Sequence, residues 1–518
     1  MNARIRTWLR PAFVLFLVAA AAMFPAILRG PYLSDSGVLD HVQTTQFADA
    51  LRTGILYPRW MPDSFEGYGD ATYYFYPPTT FYLSAALQIL GLSTVQAVNG
   101  AFLVLLWASG VTMYLWLRPR ARRPLLWACI YVVAPYHLTD AYARQALAET
   151  GSFVWLPIIA LGLVERRWRL FAASYAGLIC THLPVSLLTS VSLIPALGLA
   201  NARGWRDLAS VAIAGALGLC TAAIYLLPAL ALQRHVATDL LYFPFYRPES
   251  WSILHPAPNI IRGLLIPWAY YVAGLAIALL NGFRQRPTWT LLAWLCGLAA
   301  LGVLPIWDLP LIWKVQFPWR FMGIVEFAAC TALALTPAPR LIFAAAAAAV
   351  AAPGIIQCFS HNLTIYRQAY DVQAFRERRG NPEYLPAKMD VTGITSGQRV
   401  PRLARFGGEP RSDRVLVRAP RQVVLRTFYF PSWTVTQSGR NIPVEPFGAG
   451  QLVSFYADRP GAYRVRLRSL PVEWAGLALS MVGVGALALG GRRRRDESTI
   501  AEALFGSPAS EPGGGPRN

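Results

Sequence analysis

The chain is 518 residues long, 55% hydrophobic and only 14% charged, a balance too apolar for a soluble protein of several domains. Its formal net charge of +20 does not point to nucleic acid, because the arginines fall in short clusters between apolar runs rather than along one face or tail. A bilayer is the solvent this composition implies, and the arginines read as topology signals.

Arg4, Arg6 and Arg10 precede an apolar stretch, 11–28, that is long for a signal-peptide core and lacks a clear small-x-small cleavage site; it reads as an uncleaved first helix. Further spans are predicted at 95–117, 124–138, 150–164, 170–182, 184–200, 208–228, 264–281, 288–306, 319–336, 341–358 and 472–490, about twelve transmembrane helices in all. Between them lie Arg118 to Arg123, Arg166 to Arg169, Arg203 to Arg206, Arg284 to Arg286, Arg340 and Arg492 to Arg495. The positive-inside rule puts all of these, and both termini, in the cytoplasm. Several runs, 170–182 above all, are shorter than the roughly 20 residues a crossing needs. The stretch 76–91 opens Tyr76-Pro77-Pro78, is amphipathic, and would carry Arg118 to Arg123 outside if it crossed; an interfacial or re-entrant helix is expected there.

After 358 the pattern changes. Arg414-Val415-Leu416-Val417-Arg418, Gln422 to Arg426 and Tyr463 to Arg468 alternate with period two, and Gly439, Gly448, Gly450 and Pro460-Gly461 punctuate them. The expected organisation is a transmembrane module over 1–358 with a large first external loop, 29–75. An external, mostly antiparallel β domain follows over 359–470, with a helical lead-in to about Arg379. A last transmembrane helix (471–491) and a cytoplasmic tail (492–518), glycine-rich at 513–515 and disordered by composition, complete it. The six cysteines lie in or beside apolar segments without CxxC or Cys/His spacing and read as small buried hydrophobes.

Under this threading several charged groups share the external face. The first loop carries Asp35, Asp40, His41, Asp49, Asp63, Glu66 and Asp70, and a loop of that length is usually functional. Asp40 and His41 stand where a helix starts, followed by Gly54 and Tyr57-Pro58-Arg59-Trp60; Asp140 stands just beyond the third span, with Arg144 and Glu149 four and nine residues on. Carboxylates at such a surface act as general base toward a hydroxyl or hold a divalent metal, and adjacent arginines neutralise a phosphate. A lone aspartate is more often a helix cap or solvated charge, the reading given to Asp35, Asp49 and Asp63. His182, in Thr181-His182-Leu183-Pro184, faces the same side or satisfies a tight proline turn. Arg320, in Lys314-Val315-Gln316-Phe317-Pro318-Trp319-Arg320, reaches a lipid phosphate or snorkels to the interface. No Walker, GxGxxG, HExxH or GxSxG sequence points to nucleotide, zinc or serine chemistry.

These residues together resemble the GT-C superfamily of membrane glycosyltransferases. The features are an acidic residue after the first helix, the Pro77-Pro78 aromatic helix, a second Asp after the third span, and the Thr181 to Pro184 turn. Within it the chain is most similar to the bacterial membrane proteins labelled 6-pyruvoyl-tetrahydropterin synthase-related, through Asp40-His41, Tyr57 to Trp60, Gly67-Tyr68-Gly69, Phe75 to Pro78, Tyr142 to Glu149 and Gln316 to Arg320. Phe430-Pro431-Ser432-Trp433 to Arg468 resembles the YfhO-like C-terminal region. Pterin chemistry is set aside, because clustered histidines are missing. The resemblance implies transfer of a sugar from a polyprenyl-phosphate donor to a glycan, lipid or cell-wall acceptor outside the membrane. It implies Asp40 and Asp140 as catalytic residues, with His41, Arg59, Arg144, Glu149, His182 and Arg320 binding substrate. His41 stands where members often carry a second acidic residue, so a divalent metal is left open. The alternatives are a flippase for a lipid-linked saccharide, for which the intramembrane Glu326 argues, and a non-catalytic envelope scaffold.

Overall fold

A computed structural model of the chain describes residues 3–29, 34, 36–242, 246–255, 286–337, 348, 352, 380–389 and 406–505. The expected span 264–281, all of 341–358 except residues 348 and 352, the helical lead-in up to Arg379, Asp35 and the glycine-rich tail lie outside the described residues. In chain order the helices are α1 (Ala3–Arg29), α2 (Gly37–Arg52), α3 (Thr72–Phe75), α4 (Thr79–Ile89), α5 (Thr94–Leu117), α6 (Pro124–Val132), α7 (Pro135–Leu138), α8 (Leu147–Ser152), α9 (Trp155–Val164), α10 (Trp168–Ile179), α11 (Leu183–Val191), α12 (Leu193–Asn201), α13 (Trp205–Thr221), α14 (Ala223–Ala231), α15 (Pro287–Ala300), α16 (Met322–Leu335) and α17 (Pro471–Phe505).

In lipid every backbone amide must be satisfied within its own segment, so long apolar runs become helices. Among the described residues six stretches are long and apolar enough to cross a membrane: Leu9–Leu28, Thr94–Leu117, Leu147–Val164, Leu183–Asn201, Pro318–Leu335 and Pro471–Leu489. A seventh arises if α13 and α14, bent by 76° at their junction, count as one. Phe13, Ile213 and Val482 are exposed on these helices, as side chains facing acyl chains would be. The chain is thus a multi-pass helical membrane protein carrying a small antiparallel β module. Other expected spans form shorter helices. The run 124–138 yields α6, 9 residues long, because Pro135 cannot donate to a continuing helix and holds Ala134 extended (ψ 148°). The runs 170–182 and 288–306 yield α10, of 12 residues, and α15, of 14. The stretch 76–91 forms α4, 11 residues long, shorter than a crossing.

α1 lies along α5: the Trp107 indole N–H donates to the Ala12 carbonyl (2.9 Å) and the Asn99 amide to that of Ala26 (3.1 Å). α5 opens with a capping box, the Ser93 hydroxyl accepting the Gln96 N–H while the Gln96 side chain accepts that of Ser93. α2 packs on α4 and the start of α5 through Thr44–Ser84 and Thr45–Thr94 hydroxyl pairs, both 2.9 Å.

The β module has two sheets, of strand order β1-β7-β3-β4 and β2-β6-β5, with every neighbouring pair antiparallel. β1 (Arg414–Val417), β2 (Arg421–Phe428) and β7 (Gly461–Leu467) are the three stretches whose alternation is legible. β3 (Trp433–Gln437), β4 (Arg440–Ile442), β5 (Glu445–Phe447) and β6 (Leu452–Ala457) complete the sheets. Val415, Val417, Val435 and Val465 from one sheet and Val423, Leu425, Val453 and Phe455 from the other are buried, and the Phe455 and Tyr463 rings meet at 5.3 Å between them. The module rests on the segment after α2. Tyr68 stacks on Phe428 (5.1 Å), Trp60 meets Trp433 edge-on (5.5 Å), and Phe430 packs against Tyr74 (4.6 Å).

Candidate functional site

The site is built around a local defect in the helix that the sequence would otherwise continue. After α7, residues Thr139–Arg144 form a π-helical turn, ended by Gln145 in the left-handed region (φ 50°). Such turns are rare and concentrate at functional sites. This one folds Arg144 back onto Asp140 (Nη1 to Oδ1, 2.6 Å) and seats the Asp140 carbonyl under the Ala146 N–H (2.9 Å). The start of α2 abuts the same turn. The Ser36 N–H donates to the Arg144 carbonyl (2.8 Å), and the Ser34 hydroxyl donates to the Gln145 side chain (2.8 Å). Gly37 permits this approach, since a β-carbon there would lie 1.7 Å from Gln145 Oε1.

Asp40, one helical turn into α2, is thereby brought to the start of α8, where the Leu147 N–H donates to its Oδ2 (3.1 Å). Burial pushes its carboxyl up to about 8 despite that hydrogen bond. His41 beside it is fully buried, and burial pushes its imidazole down to about 4.

Glu149, on α8, collects the cations. Its Oε2 accepts from Arg144 Nη1 (2.6 Å) and Arg320 Nε (3.3 Å), and its Oε1 accepts the Tyr136 hydroxyl. Arg320 comes from a 3-10 turn, Pro318–Phe321, that leads into α16, and its Nη1 also donates to the Val315 carbonyl (2.6 Å). His182 caps α11, its Nδ1 accepting the Val185 N–H (3.3 Å). In the neutral ring the proton therefore sits on Nε2, which faces Glu149 Oε2 at 3.9 Å, an electrostatic contact rather than a hydrogen bond. Burial, with Glu149 beside it, pushes the Asp140 carboxyl up against the pull of Arg144. Its Oδ2 is buried and accepts no hydrogen bond from the described residues.

Two guanidinium groups, Arg144 and Arg320, thus converge on Glu149, with Asp140 against Arg144 and Asp40 one short helix away. That arrangement suits an incoming phosphate. Tyr76 shares this environment: Asp40, Arg320, Glu383 and Arg144 all act electrostatically on its hydroxyl. Glu383 stands on a 3-10 turn, Pro382–Tyr384, and burial raises its carboxyl to about 7.

Of the residues singled out from sequence, Asp140, Arg144, Glu149, His182 and Arg320 meet in one cluster, and Asp40 joins it through α8. Arg59 goes elsewhere: it pairs with Glu473 of α17 (3.3 Å), donates to the Ile224 carbonyl (3.0 Å) and lies over the Tyr57 ring (3.9 Å). Its charge is consumed in holding the first loop to the last helix. Asp49 pairs with Arg52 at the surface (2.8 Å), and Asp70 accepts the Thr72 N–H (2.8 Å). Glu326 is bound to His137 (2.8 Å), whose ring stacks on Phe153 (4.0 Å), and accepts the Tyr136 N–H. Tyr136, Tyr76 and Glu383 were not legible as site residues; aromatic residues next to prolines gave the only signal. Among the described residues no group of three or more His, Cys, Asp or Glu is placed to hold a metal ion, and Asp140 Oδ1 is already occupied by Arg144.

No family model and no curated protein matches the chain. Among solved structures it is similar to the arabinofuranosyltransferase AftD from mycobacteria, at 19% identity over 68% of this chain and 27% of that one, with a TM-score of 0.43. A mutant of the same protein gives 19% identity over 65% and 27%, with a TM-score of 0.41. The chain thus spans about a quarter of AftD's length, and the likeness assigns no residue a role.

Proposed function

We propose that the protein is a GT-C-type glycosyltransferase that moves a sugar from a polyprenyl-phosphate donor to a glycan, lipid or cell-wall acceptor on the external face of a bacterial inner membrane. The observation that carries this reading is the convergence of a buried carboxyl, Asp40, with two arginines, Arg144 and Arg320, held together on Glu149. Transfer needs both parts. A base takes the proton from the acceptor hydroxyl as its oxygen bonds to the anomeric carbon, and cations receive the charge left on the phosphate as the carbon–oxygen bond to it breaks. Asp40 is the base, Arg144 and Arg320 hold the phosphate, and Glu149 fixes both guanidinium groups. Asp140 orients Arg144, and His182 and Tyr76 supply polar contacts to phosphate or sugar. The β module, resting on the loop after α2, borders the acceptor's approach.

The purified protein in lipid, assayed with polyprenyl-phosphate sugars, tests this. Asp40→Asn is expected to lower transfer by about 100-fold or more while donor binding persists. Full activity in that variant removes Asp40 from the role, and failure to bind any lipid-linked sugar removes the class. The bend between α13 and α14 favours a second reading, a flippase for a lipid-linked saccharide. Against it, Glu326 is committed to His137 and the Tyr136 amide. Lipid-linked sugar crossing a vesicle without being consumed would select the flippase.

A further inference from the structure

A cavity of about 420 Å³ lies away from the carboxylate cluster, lined among others by Trp116, Arg120, Asn201, Arg286, Thr288 and Trp289. Its position follows from the helices. Glu149 and Arg320 stand near the start of the spans Leu147–Val164 and Pro318–Leu335, whereas Val164 and Leu335, at the far ends of those spans, line the cavity. At 1.5 Å per residue the two places are about 22 Å apart, the scale of a bilayer's hydrocarbon core. The arginine clusters of the connecting loops gather at this end: Arg120 pairs with Glu165 (2.8 Å), and Arg166 donates to the Asn201 carbonyl and pairs with Asp207 (both 2.8 Å).

The lining has a cationic rim and an apolar wall. Arg286 is exposed and its guanidinium has no ion-pair or hydrogen-bond partner among the described residues. Arg120, held over the Trp116 ring at 4.1 Å, donates to the Trp116 carbonyl and to Glu165, which leaves three of its five N–H donors unspent. Thr288 adds a hydroxyl, while Val164, Leu197, Leu335 and the two tryptophans supply apolar surface. A fixed, stacked arginine and a free one around a cavity this size suit a tetrahedral anion that carries an apolar body.

We infer that this cavity binds a phosphate ester, its anion between Arg120 and Arg286 and its apolar part against Trp116, Trp289 and Leu335, at the membrane face opposite the carboxylate cluster. The ester is either the headgroup of an anionic lipid or a soluble phosphate compound.

The test uses the full chain in nanodiscs of phosphatidylcholine alone or mixed with phosphatidylglycerol, with retained lipid counted by native mass spectrometry. Wild type is expected to retain phosphatidylglycerol over phosphatidylcholine, and Arg286→Gln to retain it about tenfold less tightly, the loss of one charge-assisted contact. Arg122→Gln, a change to an exposed arginine outside the cavity, is expected to behave as wild type. Glycerol phosphate is then added as competitor. Displacement of the lipid supports the site as one for soluble phosphate esters, and resistance supports it as a lipid headgroup site. Equal retention by wild type and Arg286→Gln overturns the inference, as does an equal loss in Arg122→Gln, which would make the effect one of bulk surface charge.

Discussion

Asp40 sits on the boundary between acid and base at physiological pH. With its carboxyl near 8, about a tenth is ionised at pH 7, and that fraction rises tenfold per unit until the pH passes the pKa. If Asp40 is the base, log kcat/KM climbs with unit slope up to about pH 8 and then levels; a flat profile between pH 6 and 8 removes the assignment. Glu149 has a different task, bridging two guanidinium groups. Glu149→Ala leaves Arg320 buried without its carboxylate and Arg144 with Asp140 alone, and a loss of about 3–5 kcal/mol, read as a lower Tm in detergent, is expected; an unchanged Tm would mean that water reaches Arg320. The positions of Asp140, Arg144 and Glu149 were legible because all three lie within ten residues of chain. Tyr76 and Glu383 were not, because each comes from a segment remote in the chain from Asp140 to Glu149 and carries no spacing to betray it.

The π-helical turn is what lets one short segment hold an acid, a base partner and a cation together. An α-helical continuation of α7 would rotate Arg144 away from the start of α8, and Gln145 would need no left-handed conformation. The close approach of α2 is equally exacting. Gly37→Val places methyl groups where Gln145 and Ser34 now meet, so α2 must move and carry Asp40 with it. Overpacking of this kind costs about 1–3 kcal/mol. Transfer is expected to fall at least tenfold with donor binding retained, and unchanged kcat in this variant would separate the position of α2 from catalysis. Apolar length marked these helices in the sequence, but the expected span 124–138 ran through Pro135, where α6 gives way to α7. The π turn itself left no trace there, because no residue type specifies one and only the contacts with α2 and Glu149 select it.

Across the whole molecule the helices and the β module are joined through the first loop. Arg59 reaches Glu473 at the start of α17, Tyr74 donates to the same carboxylate (3.2 Å), and the Phe428 N–H donates to the Tyr68 carbonyl (3.0 Å). A double-mutant cycle of Arg59→Ala and Glu473→Ala is expected to show coupling of about 1–3 kcal/mol in thermal unfolding; additive effects would mean that the pair does not hold the loop to α17. The β module could be foreseen from alternation at its first, second and last strands, whereas β4 and β5, three residues each, are too short to show a period. The pairing of Arg59 with a residue more than four hundred positions away could not be foreseen at all.

The elbow between α13 and α14 has a consequence for biosynthesis. A helix broken by 76° exposes backbone groups that lipid cannot satisfy, and here the repair comes from the far end of the chain. The Ser480 hydroxyl accepts the Ile224 N–H (2.7 Å) and donates to the Cys220 carbonyl (3.4 Å), while Gly476 and Gly483 have no β-carbon to clash with Ala223 and Thr221. Residues 205–231 therefore cannot reach their final form when the ribosome releases them into the membrane. They wait, with an unmet donor, until some 250 further residues are made and α17 slots into the bend.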